Sequence, residues 1–151
     1  MTRPHNVLSL QLAYELLKQL EGQPYEVRSQ SGHLATASGG YRVPDLAVLP
    51  LASAKRFRES YELEEYAEPL SFVAEVWSRS TGDFDVETKF PEYRQRGDAV
   101  IWRVHPYERT VIIWERRPDG GYDERLSTAG RVTIPSLPGV SIDLDALFRA
   151  L

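Results

Sequence analysis

Two carboxylates stand where burial should penalise them. Glu75 sits inside the apolar run Phe72-Val73-Ala74-Glu75-Val76-Trp77, and Asp45 stands between Pro44 and the run Leu46-Ala47-Val48-Leu49. A carboxylate in an apolar strand is costly unless something pairs with it. A divalent cation is one such partner, because hard cations prefer oxygen ligands. Lys89 can join them: Asp85, Lys89 and Tyr93 recur every four residues, which lines them up along one side of a helix. An ammonium beside two carboxylates and a metal could orient a water or steady the charge growing on a phosphorane.

Each of these residues also has a plainer reading. Asp45 could close a turn or pair with Arg42, since Pro-Asp is a common turn dipeptide. Glu75 could form a buried salt bridge with Lys89 and hold no metal. Asp85 suits the first turn of a helix, where it meets the positive end of the dipole. Tyr93 fits a core position, and Trp77, Trp102 and Trp114 fit a core or an interface. Lys55, Arg56 and Arg58 could touch phosphates or simply be solvated.

The elements that must position these groups follow from periodicity and punctuation. A helix is predicted from about Asn6 to Leu20, with Leu10, Ala13, Leu17 and Leu20 facing the core and Gly22 and Pro24 ending it. Tyr25 to Arg28 alternates as a half-buried strand does. Residues 30–40, rich in Ser, Gly, Ala and Thr, read as a turn. Tyr41 to Leu49 reads as one strand, with Pro44 arguing for an edge or a bulge. Residues 52–68 are charged throughout and fit a short helix or a loop. Leu70 to Trp77 is the most apolar strand; alternation puts Val73, Glu75 and Trp77 on one face and Ala74 and Val76 on the other. A second helix is predicted from Asp83 or Asp85 to Arg96, stopped by Gly97, with Pro91 inside it as an expected kink. Ala99–Val104 and Thr110–Glu115 look like a hairpin whose turn exposes His105. Tyr122–Leu126 and Val132–Ile134 are weaker strands, and Asp143 can cap a last helix from Leu144 to Ala150. This order describes an α+β layout with a central sheet.

Bulk properties narrow the classes. The chain has 151 residues, 42% hydrophobic and 26% charged, which suits one soluble domain spanning 1–151. It has no cysteine, so disulfides, thiolate zinc sites and thiol nucleophiles are excluded. His5, His33 and His105 are too scattered to suggest a metal cluster. The net charge of −4 counts against tight nucleic-acid binding unless a local basic patch survives it. The N-terminus reads as a helix rather than a signal peptide, and no segment has the length of a membrane span, so a cytoplasmic protein without membrane contact is expected. Gly-rich phosphate loops and a serine nucleophile elbow are absent.

Taken together, the motifs resemble those of the Uma family of restriction-endonuclease-like proteins, in the PD-(D/E)XK nuclease superfamily. The matching pieces are Pro44-Asp45; Glu75-Val76-Trp77-Ser78-Arg79-Ser80-Thr81; Asp85, Lys89, Tyr93 and Gly97; Trp102; and Leu137-Pro138-Gly139. The resemblance implies a restriction-endonuclease-like fold, a central mixed β-sheet flanked by helices. It implies Asp45, Glu75 and Lys89 as catalytic residues, with Asp85 and Tyr93 supporting them. Asp45, Glu75 and the Val76 backbone carbonyl would hold Mg2+ or Mn2+. The orthodox lysine position, two residues after the glutamate, is Trp77 here, and the family's lysine corresponds to Lys89 on the following helix. Glu15 is the one candidate for a first-helix glutamate. The chain departs from the family at Arg79, where proline is usual, and at His105-Pro106, where Asp-Pro is usual.

Two functions follow as expectations. One is metal-dependent hydrolysis of DNA by an endonuclease, with a homodimer suited to cutting a duplex. The other is a catalytically inactive nuclease fold serving as a scaffold or partner-binding domain, which the acidic net charge favours.

Overall fold

The first helix begins earlier than its sequence pattern announces. In the computed structural model, which describes all 151 residues, α1 spans Arg3–Gln19. Thr2 caps it, its side-chain oxygen accepting from the His5 amide, and Pro4 occupies the first turn, where no intrahelical donor is needed. The buried stripe is Leu8, Leu12, Leu16 and Leu20 with Ala13, whereas Leu10 and Leu17 are 65% and 57% exposed. This corrects the expected stripe. Leucines occur on two sides of α1, both at helical spacing, and packing on the sheet selects one of them.

The main sheet has six strands in the order β1-β4-β6-β7-β8-β9. They are β1 (Tyr25–Ser29), β4 (Leu46–Pro50), β6 (Phe72–Val76), β7 (Val100–His105), β8 (Thr110–Arg116) and β9 (Tyr122–Ser127). All neighbours are antiparallel except β6 and β7. A parallel pair needs a crossover, and the helical segment 82–96 supplies it. Alternation divides the core in two. Leu46, Val48, Phe72, Ala74, Val76, Trp102 and Val104 face α1 and the C-terminal helix α5 (Leu144–Arg149). Ala47, Leu49, Val73, Ile101 and Trp114 pack against Phe90 and Tyr93 of the crossover. Full burial of each such aliphatic side chain contributes ~1.5–3 kcal/mol.

A second sheet corrects two expectations. Residues 30–40 are not only a turn: they contain β2 (His33–Ala35), which pairs antiparallel with β3 (Tyr41–Arg42) and parallel with β5 (Glu65–Tyr66). Tyr41 to Leu49 is therefore not one strand. The chain breaks at Pro44, sending β3 to the small sheet and β4 to the large one. Pro44 marks no edge, since β4 lies between β1 and β6. The charged stretch after it holds α2 (Leu51–Lys55) before β5.

The crossover resolves the problem posed by Pro91. It runs as a helical turn α3 (Gly82–Phe84), a π-helical turn over Asp85–Lys89, and α4 (Phe90–Arg96). The Phe90 amide donates to the Asp85 carbonyl, five residues back. The wider turn lets Pro91 enter at the start of α4, where its missing N–H does no harm, so the axis carries a π turn where a kink was expected. Gly97 ends α4 at φ +84°, a left-handed value that favours glycine.

His105 is the last residue of β7 and is only 8% exposed, so it does not lie on the hairpin turn as expected. Beyond β9, β10 (Arg131–Thr133) and β11 (Ser141–Asp143) form a small hairpin around Leu137-Pro138-Gly139. Asp143 Oδ1 accepts from the Ala146 amide at 3.2 Å and caps α5. No helix is long and apolar enough to cross a membrane.

Candidate active site

The strand order brings Asp45 and Glu75 together. The antiparallel register of β4 and β6 pairs Leu46 with Ala74, which sets Asp45, just before β4, beside Glu75 and Val76. Asp45 Oδ2 accepts the Val76 amide hydrogen at 2.8 Å and lies 3.1 Å from His5 Nε2. Glu75 points to the crossover face and is 2% exposed. Tyr93 donates its hydroxyl to Glu75 Oε1 at 2.6 Å. Lys89 Nζ lies 3.5 Å from the same oxygen and 3.1 Å from Asp85 Oδ1. The stripe Asp85, Lys89, Tyr93 thus survives the π turn and faces the sheet. Before the crossover, Ser78 and Thr81 share a 2.6 Å hydrogen bond, and the Asp85 amide donates to the Thr81 carbonyl at 2.8 Å.

Proton affinities report an excess of negative charge. Burial and then the charge of Asp45 push Glu75 from its ordinary 4.5 up to about 8. Burial would also raise Asp45, but hydrogen bonds from His5 and the Val76 amide overcome it, and its pKa falls below the ordinary value. Burial raises Asp85 against the pull of Lys89. Lys89 would be lowered by burial, but the charges of Glu75 and Asp85 raise it instead, which favours the ammonium. Tyr93 is raised strongly by burial and by its contact with Glu75.

Two carboxylates, Glu75 and Asp85, therefore contact one lysine, and a third, Asp45, adds its charge beside Glu75. Asp85 Oδ1 has the ammonium as a charge neighbour but no aligned hydrogen-bond donor. An all-oxygen set with surplus negative charge fits a hard divalent cation. No three His, Asp or Glu side chains close on a common point, so a cation there would take two carboxylates and complete its shell with main-chain oxygen and water. The side chains of Asp45 and Lys89 are 16% and 18% exposed, which leaves the centre reachable from solvent on their side.

The plainer readings fare unevenly. Arg42 does not pair with Asp45; it makes a two-pronged pair with Glu92 at 2.6 and 3.1 Å. The Glu75–Lys89 ion pair does form. Glu15 is not brought to the centre. It binds Lys18 and Gln19 and lines a separate recess of about 380 Å³ with Arg131 and Leu147. The residue of α1 that reaches the centre is His5, three and seven residues before Leu8 and Leu12 on the buried stripe. Extending the helix back to Thr2, a good cap followed by proline, is the signal that would have found it.

No curated protein matches the chain in sequence. Among solved structures, one described as "a putative nuclease belonging to DUF820", from Anabaena variabilis, superposes with a TM-score of 0.82 at 12% identity. The alignment covers 99% of this chain and 83% of that one. At that identity the likeness establishes the fold, an α+β restriction-endonuclease-like fold with a mixed central sheet. The family model named Uma2 and described as "Putative restriction endonuclease" matches residues 1–145, and the chain belongs to that family.

Proposed function

We propose that the protein is a divalent-metal-dependent phosphodiester hydrolase acting on DNA, with its centre at Asp45, Glu75 and Lys89. The observation that carries this reading is the surplus of buried carboxylate around one lysine, expressed in a Glu75 pKa of about 8. Asp45 and Glu75, with the Val76 carbonyl, would hold Mg2+ or Mn2+. Such an ion would polarise a phosphoryl oxygen and acidify a water at neutral pH. Tyr93 fixes the rotamer of Glu75 through Oε1, and His5 fixes Asp45 through Oδ2. Asp85 holds Lys89 in place. Kept as an ammonium, Lys89 serves as a donor and a positive charge rather than as a base, suited to phosphate oxygens on which charge grows. Hydrolysis would then join the water oxygen to phosphorus and break one bridging P–O bond, a proton lost by the water ending on the departing oxygen as a hydroxyl.

The test is nicking of supercoiled plasmid in Mg2+, Mn2+ and EDTA. Wild type should cut only with metal, and Asp45→Asn and Glu75→Gln should abolish cutting while circular dichroism stays unchanged. Equal behaviour of all three proteins would defeat the reading.

The Glu75–Lys89 contact at 3.5 Å, with Tyr93 on the same oxygen, favours a second reading. In it the pair is closed and the domain is a non-catalytic scaffold. Melting with and without Mg2+ or Mn2+ separates the two, because a ligand bound only by the folded state stabilises it by mass action and a closed pair gains nothing.

A further inference from the structure

One residue past Val76 the character of the surface changes from acidic to aromatic. Trp77 continues β6, its amide donating to the Val104 carbonyl at 2.8 Å, and alternation puts its side chain on the face of Glu75. Its indole stacks on the His105 ring with centroids 4.5 Å apart and planes 21° apart. Tyr107 stands at 88° to the indole, 5.8 Å away, and is 57% exposed. The two rings make an open corner. Its position is fixed from below, because a methyl group at Gly82 would collide with the indole.

On the same face lies a cation with no acid assigned to it. Arg103 is the register partner of Glu75 across the parallel β6–β7 pair. Yet Glu75 pairs with Lys89, and Arg103 Nε is buried with no hydrogen-bond partner. His105, two residues on, is within reach of the Arg103 charge. A buried guanidinium edge without an acceptor is costly, and its planar fork matches phosphate oxygens.

We infer that Arg103 and the Trp77–Tyr107 corner form a subsite for one nucleotide of a nucleic-acid strand, the guanidinium taking a phosphate and the rings taking an unpaired base. The inference rests on the hydrolase reading for its substrate class and adds which form of the strand is held. A base within a duplex has both faces covered by its neighbours, so a stacking corner selects single-stranded or extruded nucleotides.

The test is fluorescence anisotropy of a labelled oligothymidylate titrated with the full chain in EDTA, which suppresses cutting. Wild type should bind the single strand more tightly than a duplex of the same length. Tyr107→Ala should weaken binding about tenfold, as loss of one base stack does, while Tyr107→Phe restores it. Arg103→Gln should weaken binding and lower the salt dependence by about one ion. A strand with abasic positions should bind wild type as weakly as the intact strand binds Tyr107→Ala. Circular dichroism confirms that each variant is folded. Equal affinity of wild type, Tyr107→Ala and Arg103→Gln, preference for the duplex, or no binding by wild type would overturn the subsite. Metal-dependent cutting without base-dependent binding removes the subsite and leaves the hydrolase; base-dependent binding without cutting does the reverse.

Discussion

The protein buries two clusters of opposite charges, and they are built on different plans. At one, Arg96 and Asp98 pair one base with one acid at 3.1 Å, with side chains 3% and 0% exposed. Arg96 also donates to the carbonyls of Ala35, Tyr66 and Glu68 at 2.6–3.0 Å, and Asp98 accepts from the Leu70 amide at 2.8 Å. The cluster ties the small sheet to α4 and leaves little bonding capacity unused. At the other, Glu75 and Asp85 share Lys89, and Asp45 stands beside them on His5. A closed cluster holds elements together. An open one keeps electrostatic demand in reserve for something that arrives later.

The largest effect expected from this contrast is on stability. Arg96→Met strands Asp98 and three carbonyls, and breaking such a buried pair costs about 3–5 kcal/mol, or roughly 10 °C in melting temperature for a chain of this size. Glu75→Gln, which replaces an acid already protonated below about pH 8 with a neutral group of the same shape, should leave melting near neutrality unchanged. If both variants melt alike, the distinction between the clusters is lost. Next in size is the response to metal. At a Mg2+ or Mn2+ concentration a hundredfold above the dissociation constant, the folded state should gain about 2.7 kcal/mol, and Asp45→Asn and Glu75→Gln should lose that gain while Arg96→Met keeps it.

The pH profile sharpens the same comparison. Glu75 holds its proton up to about 8 in the folded chain against an ordinary 4.5, so the folded state carries the extra proton between those values. Stability of the metal-free protein should therefore fall as pH rises through that window. Glu75→Gln should flatten the slope in melting curves taken between about pH 5 and pH 8, the span that separates the ordinary and the folded values. The smallest effect is at Tyr93→Phe. Loss of the 2.6 Å bond to Glu75 should cost about 1 kcal/mol and move the Glu75 titration, followed by carboxyl NMR, still higher.

How much of this could be read from the sequence depended on how local the signal was. Asp45 and Glu75 were legible because each interrupts an apolar run, and Lys89 because it shares a spacing with Asp85 and Tyr93. The sheet's alternation correctly placed Glu75 opposite Ala74 and Val76. Which leucines of α1 are buried was not legible, since two stripes fit one period and the sheet chooses. β2, β3 and β5 are two or three residues long within polar stretches and exist only through pairing with one another. His5 was hidden by a helix drawn three residues too short. Arg103 gains its meaning only once β7 is known to lie beside β6, which no short stretch of sequence states.

The π turn over Asp85–Lys89 makes the placement of the lysine a matter of counting. A π turn closes its hydrogen bond one residue further along than an α turn, so the chain between Asp85 and Lys89 acts as a spacer of fixed length. Val86 and Glu87 point outward, and their identities are free to drift. Removing one residue there would close the π turn to an ordinary α turn and shorten the spacing between Asp85 and Lys89 from four residues to three, which breaks their match to the carboxylate cluster. Tolerance to substitution and intolerance to shortening should coexist in the three spacer residues 86–88, a pattern that a deletion scan read by metal-induced melting shifts would expose.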